Sequence, residues 1–233
     1  MIGLYLYLAI VAKKIGHEIK KLVDDAVDFD PFFFHLRQGG HVMALHAHRK
    51  HKYFARADIS KFFYGVGRNR VTRALHEIGI PHAGTYAKWS CVKNPYGDPR
   101  YSLPYGFVQS PILATLVLMR SAVGEFLRNL SKTVTSSVYV DDISLSCDSK
   151  TEIDAAFNCL LEMIEASNFK IAKDKTQAPA EQITLFQCNL AYQQTAVRGE
   201  RRSEFYAVER SVASASAFER YCDSVAERNA PTA

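Results

Sequence analysis

Residues 134–147 read Val-Thr-Ser-Ser-Val-Tyr-Val-Asp-Asp-Ile-Ser-Leu-Ser-Cys, two β-rich runs with only Asp141 and Asp142 between them. Two such runs joined by so short a link predict a β-hairpin. The tip of this hairpin would carry two adjacent carboxylates on a rigid element. Aspartate is also a common turn residue, so the pair could serve the turn alone.

A second strand is predicted at residues 53–59, where Tyr-Phe-Ala-Arg-Ala-Asp-Ile places Asp58 near the strand end. Hydrophobic periodicity and turn residues predict the other elements. We expect helices at residues 15–26, 71–78, 112–130 and 153–166 and from 204 onward, and short strands at 169–171 and 183–190. Because strands and helices do not alternate strictly, this order predicts an α+β fold with an antiparallel sheet backed by helices.

The composition is that of a globular domain with a modest basic excess. The 233 residues are 48% hydrophobic and contain 29 Lys and Arg against 24 Asp and Glu, a net charge of +5. That excess fits a polyanionic partner as well as an ordinary solvated surface. The five cysteines form no C-x-x-C pair. Their scatter argues against a zinc ribbon or a redox motif and predicts a reducing, cytoplasmic location.

The N-terminal stretch Met1–Ala12 is apolar and carries no charged side chain. It lacks the basic start of a signal peptide and is too short to span a bilayer, so we expect no membrane association. It is predicted to form a helix that is either buried or faces a partner. Within it, Leu4-Tyr-Leu-Tyr-Leu8 is the candidate partner-facing surface.

Asp58, Asp141 and Asp142 are the candidate metal ligands. Two-metal phosphoryl transfer needs carboxylates fixed on rigid strands that can share two cations about 3.5–4 Å apart. Hard oxygen ligands with open positions favour Mg²⁺, with Mn²⁺ as the alternative.

Four sequence segments resemble, in order, the motifs of reverse transcriptases. They are Ala57–Phe63 (ADISKFF), Leu103–Pro111 (LPYGFVQSP), Tyr139–Asp142 (YVDD) and Asn168–Thr176 (NFKIAKDKT). The first segment is most similar to the bacterial retron and defence-associated branch of that family. The resemblance covers about residues 35 to 190.

The resemblance implies a polymerase palm, with the acids on its antiparallel sheet, abbreviated fingers and little or no thumb. Only 57 residues precede Asp58, and none of them matches the family's usual basic fingers motif. We therefore expect abbreviated fingers in residues 1–52, the palm in 53–192, and a C-terminal helical extension in 193–233. This extension would be a rudimentary thumb or a partner-binding segment.

By resemblance, Asp58 and Asp141 would hold both metal ions, and Asp142 would be more peripheral. Lys175 is similar to a family lysine near the leaving group, where a cation or proton donor helps; it could equally be a solvated surface lysine. The backbone just after Asp58 would present N–H groups to the triphosphate, from Ile59, Ser60, Lys61 and Phe62.

The resemblance also implies a nucleotide pocket. Phe63 would be the gate that excludes a 2′-hydroxyl by steric clash, although Phe62 or Phe63 could be a core residue. If these two residues lie on a strand, only one of them can face the core. Tyr105 stands where the family usually has glutamine. Gly106 would allow close backbone approach to the templating pair, unless it serves only a helix-entry turn. Gln109 would also line the pocket.

A basic and histidine-rich run precedes the first strand. Arg49, Lys50 and Lys52, together with Tyr139, are candidate nucleic-acid contacts, although such a run can also be a solvated face. His46, His48 and His51 have spacing that invites a zinc interpretation, but no Cys or carboxylate completes a familiar pattern. A second basic cluster is formed by Arg198, Arg201 and Arg202.

The function implied is RNA-templated DNA polymerisation from dNTPs in a retron-like or antiviral defence system. An alternative is non-templated or protein-primed DNA synthesis. Another is a catalytically inactive nucleic-acid-binding scaffold. The three intact aspartates argue against the scaffold, because desolvated like charges are costly without a cation. With short fingers and thumb, we expect a second protein, a second copy of the chain or a bound non-coding RNA to help grip the duplex.

Overall fold

The computed structural model describes the backbone of residues 2–230 and the side chains of residues 11–230. It contains two compact units. The helical unit comprises Met1–Pro31, Ile59–Asn129 and Glu162–Ala172, and the sheet unit comprises Phe32–Asp58, Leu130–Leu161 and Lys173–Ala233. The candidate partner surface at residues 4–8 is helical, but its side chains lie outside the described residues. The division into fingers, palm and C-terminal extension stays a prediction.

The helices and strands follow one another in a mixed order. The helices are α1 (Ile2–Ala26), α2 (Gly40–His48), α3 (Phe62–Gly65), α4 (Arg68–Glu77), α5 (Ala83–Ser90), α6 (Ser110–Met119), α7 (Ala122–Arg128), α8 (Lys150–Ala166), α9 (Gly199–Tyr206) and α10 (Val212–Ala226). The strands are β1 (Tyr53–Asp58), β2 (Val92–Lys93), β3 (Tyr101–Ser102), β4 (Thr135–Tyr139), β5 (Asp142–Cys147), β6 (Gln177–Ala180), β7 (Gln182–Leu185), β8 (Cys188–Ala191) and β9 (Gln194–Val197).

The sheet unit is built on a four-stranded antiparallel sheet in the order β4-β5-β1-β6. The predicted strand and hairpin are therefore confirmed. The hairpin loop is shifted by one residue, because Tyr139 pairs with Asp142 and leaves Val140 and Asp141 as the turn. Strand β5 is buried on both faces from Ile143 to Cys147, as expected of a central strand. Apolar residues on one face alternate with Ser144 and Ser146 on the other.

A second sheet, β7-β8-β9, packs with α10 around an apolar core in the same unit. The single strand predicted at 183–190 is wrong, because Phe186 and Gln187 both adopt left-handed backbone conformations, with φ of 52° and 62°. Two consecutive positive φ values make a tight hairpin turn. Neither residue is the Asn or Gly that usually indicates such a turn, so the sequence pattern did not predict it.

Helix α2 lies against β4 and β5 in the sheet unit. Its His48 is buried and contacts a serine hydroxyl on each of these strands, Ser137 and Ser146, both at 2.7 Å. The outer edge of β4 is covered by the preceding segment, where the Val138 N–H donates to the carbonyl oxygen of Phe32 at 2.7 Å. This pairing satisfies backbone groups on the edge strand that could otherwise pair with a strand of another chain.

In the helical unit, the helix predicted over 112–130 is two helices. α6 and α7 meet at Arg120 and Ser121 with a bend of 68°. Ser121 has an extended backbone conformation, and Arg128 donates from both terminal nitrogens to the Met119 carbonyl oxygen at 3.1 Å. A β-carbon on Gly124 would overlap that same carbonyl oxygen. The sharp crossing therefore requires glycine at this position.

One further local prediction is wrong. Residues 169–171 form no strand and contribute only an isolated bridge between Ile59 and Ile171. Residues 62–65 form the helical turn α3 rather than continuing β1, because Lys61 has a left-handed conformation with φ of 50°. The helical turn removes the strand alternation that would have exposed one of the two phenylalanines.

Within the described residues, no single helix combines the length and apolarity needed to cross a membrane. Helices α6 and α7 reach that composition only when taken together across their bend.

Candidate active site

Three aspartates meet at one end of the sheet in the sheet unit. Asp58 ends β1 and lies directly opposite Asp142, the first residue of β5. Directly opposed residues of antiparallel strands project to the same face. Asp141 lies in the hairpin turn next to Val140, whose φ is 61°. A β-branched residue rarely adopts positive φ, and such strain concentrates at functional sites.

Arg56 neutralises part of this charge from the same strand as Asp58. Its Nη2 lies 2.5 Å from Asp142 Oδ1 and 3.6 Å from Asp58 Oδ2, and its Nε donates to Asp142 Oδ1 at 2.6 Å. The residues two apart on a strand share a face, so Arg56 and Asp58 project together. One guanidinium thus bridges two carboxylates that would otherwise repel each other.

Lys175 also contributes to the site. Its Nζ lies 3.7 Å from Asp58 Oδ2, while more than half of its side-chain surface stays exposed. The next residue, Thr176, accepts a hydrogen bond from the Asp58 backbone N–H at 3.4 Å. The segment that carries the predicted lysine is therefore in contact with the first aspartate.

Burial and like charge disfavour ionisation of the two hairpin aspartates. The pKa of Asp142 is raised to about 6, first by desolvation and then by Asp58 and Asp141, against the opposing effect of Arg56. Desolvation is also the main cause that raises the pKa of Asp141, and the negative charge of Asp58 adds to it. Three carboxylates therefore lie close together in a partly desolvated site that contains two cations, Arg56 and Lys175.

The residues present fit a divalent cation. Asp58 is 3% exposed, and its Oδ1 is buried with no hydrogen-bond partner among the described residues. An orphaned buried carboxylate oxygen is costly unless something binds it. In the present side-chain arrangement no three His, Cys, Asp or Glu side chains of the described residues converge closely enough to hold a metal. Arg56 bridges two of the three aspartates, so metal binding would require Arg56 to move aside.

His35 supports the hairpin turn from outside the predicted motifs. Its Nδ1 accepts a hydrogen bond from the Val140 N–H at 3.2 Å, so this nitrogen must be unprotonated. The same nitrogen lies 3.4 Å from the Val138 carbonyl oxygen, which only the other tautomer could satisfy. Desolvation lowers the pKa of His35 and favours the neutral ring. Because His35 and Val140 are 105 residues apart along the chain, no local sequence pattern indicates this contact.

Residues 6–196 of the 233-residue chain match the sequence profile described as "Reverse transcriptase (RNA-dependent DNA polymerase)". The chain belongs to the reverse transcriptase family. No curated protein sequence matches it as a relative.

Solved reverse transcriptases share this fold. Telomerase from Candida albicans, in complex with a fragment of telomeric RNA, matches with a TM-score of 0.56 and 12% identity over 82% of the chain. The foamy viral protease-reverse transcriptase matches with TM-scores of 0.51 in complex with double-stranded DNA and 0.52 with an RNA/DNA hybrid. Both foamy viral matches have 16% identity and cover 79% of the chain.

The chain spans only part of these polymerases, between 22% and 38% of their lengths. At such identities the likeness establishes the fold alone. The predicted α+β palm with an antiparallel sheet and helices is confirmed, as is membership in a family of RNA-directed DNA polymerases. Reverse transcriptases generally use divalent metal ions.

The predicted nucleotide-pocket residues lie in the helical unit. Phe63 is 8% exposed and packs edge-on against Tyr105, with ring centroids 4.9 Å apart. Phe62 is fully buried, so both phenylalanines are core residues and the expectation that one is exposed is wrong. Tyr105 is exposed, and Gly106 has φ of 87° with open space where a β-carbon would lie. This left-handed conformation explains why glycine occupies position 106.

Three of the predicted pocket residues are buried or use their backbone N–H within the protein, and a fourth, Lys61, is exposed. The Ser60 N–H donates to the Lys170 carbonyl oxygen at 2.7 Å, which leaves it unavailable to a phosphate, and Ile59 is fully buried. Lys61 is exposed, and its Nζ lies 3.5 Å from the centroid of the Tyr96 ring. Gln109 is 3% exposed and donates to Ser90 Oγ at 3.4 Å, so its side chain faces the core. A contact between Gln109 and a nucleotide stays a prediction.

The three basic residues before β1 that were predicted to contact nucleic acid differ in solvent exposure. Lys50 and Lys52 are exposed, as nucleic-acid contacts require. Arg49 is 8% exposed and donates to the Glu227 carbonyl oxygen and to Asn229 Oδ1, so it anchors the end of α10 rather than facing solvent. Tyr139 is half-buried in an aromatic cluster with His35, His41 and Phe186.

The three histidines of the zinc interpretation each have a different partner. His46 Nε2 lies 3.3 Å from the Val225 carbonyl oxygen, and His48 contacts the two serines described above. His51 contacts Thr135 at 2.8 Å and Asp148 at 3.4 Å. The described histidines therefore give the zinc interpretation no support.

Proposed function

We propose that this chain is an RNA-templated DNA polymerase that extends a primer with dNTPs, with Asp58, Asp141 and Asp142 as its catalytic carboxylates. One observation carries the proposal. Asp58 and Asp142 are paired across adjacent strands, and a buried oxygen of Asp58 has no partner. A purely structural trio of acids would have its buried oxygens satisfied by the protein.

The three aspartates would hold Mg²⁺ or Mn²⁺, in the two-metal arrangement that such carboxylates serve. When bound, the ions supply charge neutralisation at the triphosphate and activation of the primer hydroxyl. The protein's own part is to fix the carboxylates. The β1–β5 register sets Asp58 against Asp142, His35 holds the turn that carries Asp141, and Lys175 places a cation 3.7 Å from Asp58.

Lys175 would bind the developing negative charge of the leaving pyrophosphate. Its exposed ammonium can reach a ligand while it remains near Asp58. Phe63 would limit the space at the sugar, with Tyr105 packed against its ring to hold it in position. The roles of Gly106, Gln109 and the backbone N–H groups of Ile59, Lys61 and Phe62 in binding the nucleotide remain part of this proposal, whereas the Ser60 N–H is already bound to Lys170.

The biological setting proposed is a bacterial retron-like or antiviral defence system in the cytoplasm. It rests on the resemblance of residues 57–63 and on five cysteines that are all free. The partners proposed are an RNA template, a DNA product and dNTPs, as the complexes of the similar polymerases suggest. A second protein, a second copy of the chain or a bound RNA would add grip on the duplex.

The test is incorporation of labelled dNTPs by the purified chain, with Mg²⁺, on an RNA template carrying a DNA primer. Asp141→Asn should reduce incorporation by about a thousandfold, because loss of a metal ligand removes several kcal/mol of transition-state stabilisation. Asp223→Asn, which changes an exposed aspartate on α10, is the matched control. Equal incorporation without template would favour non-templated synthesis, and full activity of Asp141→Asn would refute the assignment.

A further inference from the structure

A cavity of about 580 Å³ lies in the helical unit. It is lined by the start of α4, by the loop between β2 and β3 that follows Asp98, and by Asn168. Three arginines face it: Arg68, Arg70 and Arg100. Neither the metal site nor the nucleotide pocket proposed above includes any of these residues.

Aromatic rings, rather than carboxylates, hold these arginines in place. The guanidinium carbons of Arg68 and Arg100 lie over the Tyr101 ring, 4.5 and 5.5 Å from its centroid. The guanidinium of Arg70 lies over Phe169 at 4.3 Å. Stacking on a ring orients a guanidinium while leaving its positive charge and its N–H donors available.

The cavity carries more positive charge than it neutralises. Its lining contains the three arginines and one carboxylate, Asp98, and no carboxylate among the described residues forms an ion pair with any of the three. Helix α4 begins at Arg68 without an acidic residue in its first turn. The positive end of that helix dipole therefore adds to the field of the arginines.

One guanidinium nitrogen of Arg70, Nη1, lacks a hydrogen-bond partner among the described residues although it is buried from water. Desolvation lowers the pKa of Arg70, and the positive charge of Arg73 lowers it further. A buried, unpaired guanidinium nitrogen is costly, and a nearby anion would offset that cost.

The basic surface continues beyond this cavity. Arg70 and Asn168 also line an adjoining cavity of about 290 Å³ that includes Arg73 and Arg120. Arg120 is paired with Glu77 at 3.0 Å, whereas Arg73 has no ion pair among the described residues. Because the two cavities share Arg70, they can bind successive phosphates of one strand. An inorganic phosphate or a single nucleotide would need only one of them.

We propose that these two cavities, which we call the arginine groove, bind the phosphodiester backbone of a nucleic-acid strand. Guanidinium groups bind phosphate oxygens through paired N–H donors, and such contacts fix a strand without reading its sequence. The proposal rests on the proposed function only in that the chain is expected to handle nucleic acid. The groove would supply part of the chain's grip on that strand.

The test compares two double variants of equal charge change. Arg68→Gln with Arg100→Gln removes two groove arginines, and Arg201→Gln with Arg202→Gln removes two exposed arginines of α9 in the sheet unit. Binding of a fluorescent single-stranded RNA is measured by anisotropy over a range of salt concentrations. Thermal unfolding of each variant checks that it is folded, and Arg68→Lys with Arg100→Lys keeps the charge without the paired donors.

The groove variant should bind RNA at least about tenfold more weakly, since hydrogen bonds to charged groups are individually strong. Its log–log salt dependence should be shallower by about 1.4, because each lost contact with a single strand reduces the slope by about 0.7. The lysine variant should recover the salt slope but only part of the affinity. The α9 variant should retain most of the affinity.

An equal loss in the α9 variant would overturn the proposal, because net charge alone would then explain the binding. So would a groove variant that binds RNA normally but loses binding of inorganic phosphate or dNTP, because the cavities would then be small-anion sites. Incorporation is measured in parallel. If the parent incorporates no dNTP yet its RNA binding needs the groove arginines, the proposed function fails and the groove proposal stands. If the parent incorporates dNTPs and the groove variant binds RNA as the parent does, the groove proposal fails and the proposed function stands.

Discussion

Arg56 forms a 2.5 Å ion pair with Asp142. The same guanidinium lies 3.6 Å from Asp58 on its own strand. Arg56 therefore lies between two of the carboxylates that are proposed to bind the metal ions. Even with this partner, burial and the neighbouring acids raise the pKa of Asp142 to about 6. The charge balance of the site is therefore maintained by an arginine that a metal ion would have to compete with or displace.

Arg56→Gln should destabilise the metal-free protein, because breaking a largely buried ion pair leaves the carboxylates uncompensated. We expect a loss of about 3 kcal/mol in the free energy of unfolding, measured by urea denaturation in chelator. Added Mg²⁺ should restore more stability to the variant than to the parent. Arg198→Gln, which breaks an exposed pair with Glu200, is the control and should leave stability nearly unchanged, because solvent screens exposed ion pairs. Equal responses to Mg²⁺ in parent and Arg56→Gln would contradict the idea.

His48 should make folding sensitive to acid. Its pKa is lowered from 6.5 to about 3, mainly by burial, so the folded state stays neutral where the unfolded chain takes up a proton. The unfolded state then binds more protons between those two values. Stability should fall as the pH drops from 6.5 toward 3, by up to about 1.4 kcal/mol per pH unit.

The measurement is the free energy of unfolding against pH for the parent and for His48→Gln. The variant should be less stable near neutrality, because two buried serine contacts are altered, but its stability should depend less on pH below 6.5. His82→Gln, at an exposed histidine, should leave the pH profile unchanged. Parallel profiles for the parent and His48→Gln would show that His48 is not the acid-sensitive group.

His35 should control catalysis through the hairpin turn. Losing the hydrogen bond from the Val140 N–H removes about 1 kcal/mol of support for the turn that carries Asp141. His35→Ala should therefore lower kcat about fivefold with little change in KM. His35→Asn keeps an acceptor in place of the ring nitrogen and should recover much of the loss. His46→Ala, which alters a half-buried histidine of the same unit, should leave kcat unchanged.

The sequence predicted best those elements that depend on local residue patterns. The β-rich runs on either side of Asp141 gave the hairpin, and the strand ending at Asp58 gave its neighbour. The helix break at Ser121 depends on how closely Gly124 approaches Met119, a tertiary contact that periodicity cannot reveal. The turn at Phe186 and Gln187 has no turn-forming residue, so a hairpin was read as one strand.

The sequence predicted the three carboxylates and Lys175, which the structure brings close to Asp58, but it predicted neither Arg56 nor His35 at the site. Arg56 was visible in the sequence two residues before Asp58, and strand alternation would have placed it on the same face. His35 could not be found in this way, because its partner is 105 residues away along the chain. Arg49 was read as a surface residue because a basic run does not indicate which member anchors another helix.

Phe63 is the residue expected to exclude ribonucleotides, and its packing sharpens the test. Its ring is held edge-on by Tyr105 at 4.9 Å, so it cannot easily move aside for a 2′-hydroxyl. Phe63→Ala should raise kcat/KM for rNTPs relative to dNTPs by about 10- to 100-fold, the range that pocket contacts of this size control. The variant should also lose stability, since a buried phenylalanine truncated to alanine costs about 3–5 kcal/mol.

Phe62→Leu is the control that separates gating from general disruption. Phe62 is fully buried beside Phe63, with ring centroids 5.8 Å apart, so its truncation loosens the same core. If selectivity relaxes because the core is loosened, both variants should accept ribonucleotides. If Phe63 is the gate, only Phe63→Ala should do so, and Phe62→Leu should lose stability while it retains the parent's selectivity for dNTPs. Unchanged discrimination in a folded Phe63→Ala protein would place the gate on another residue.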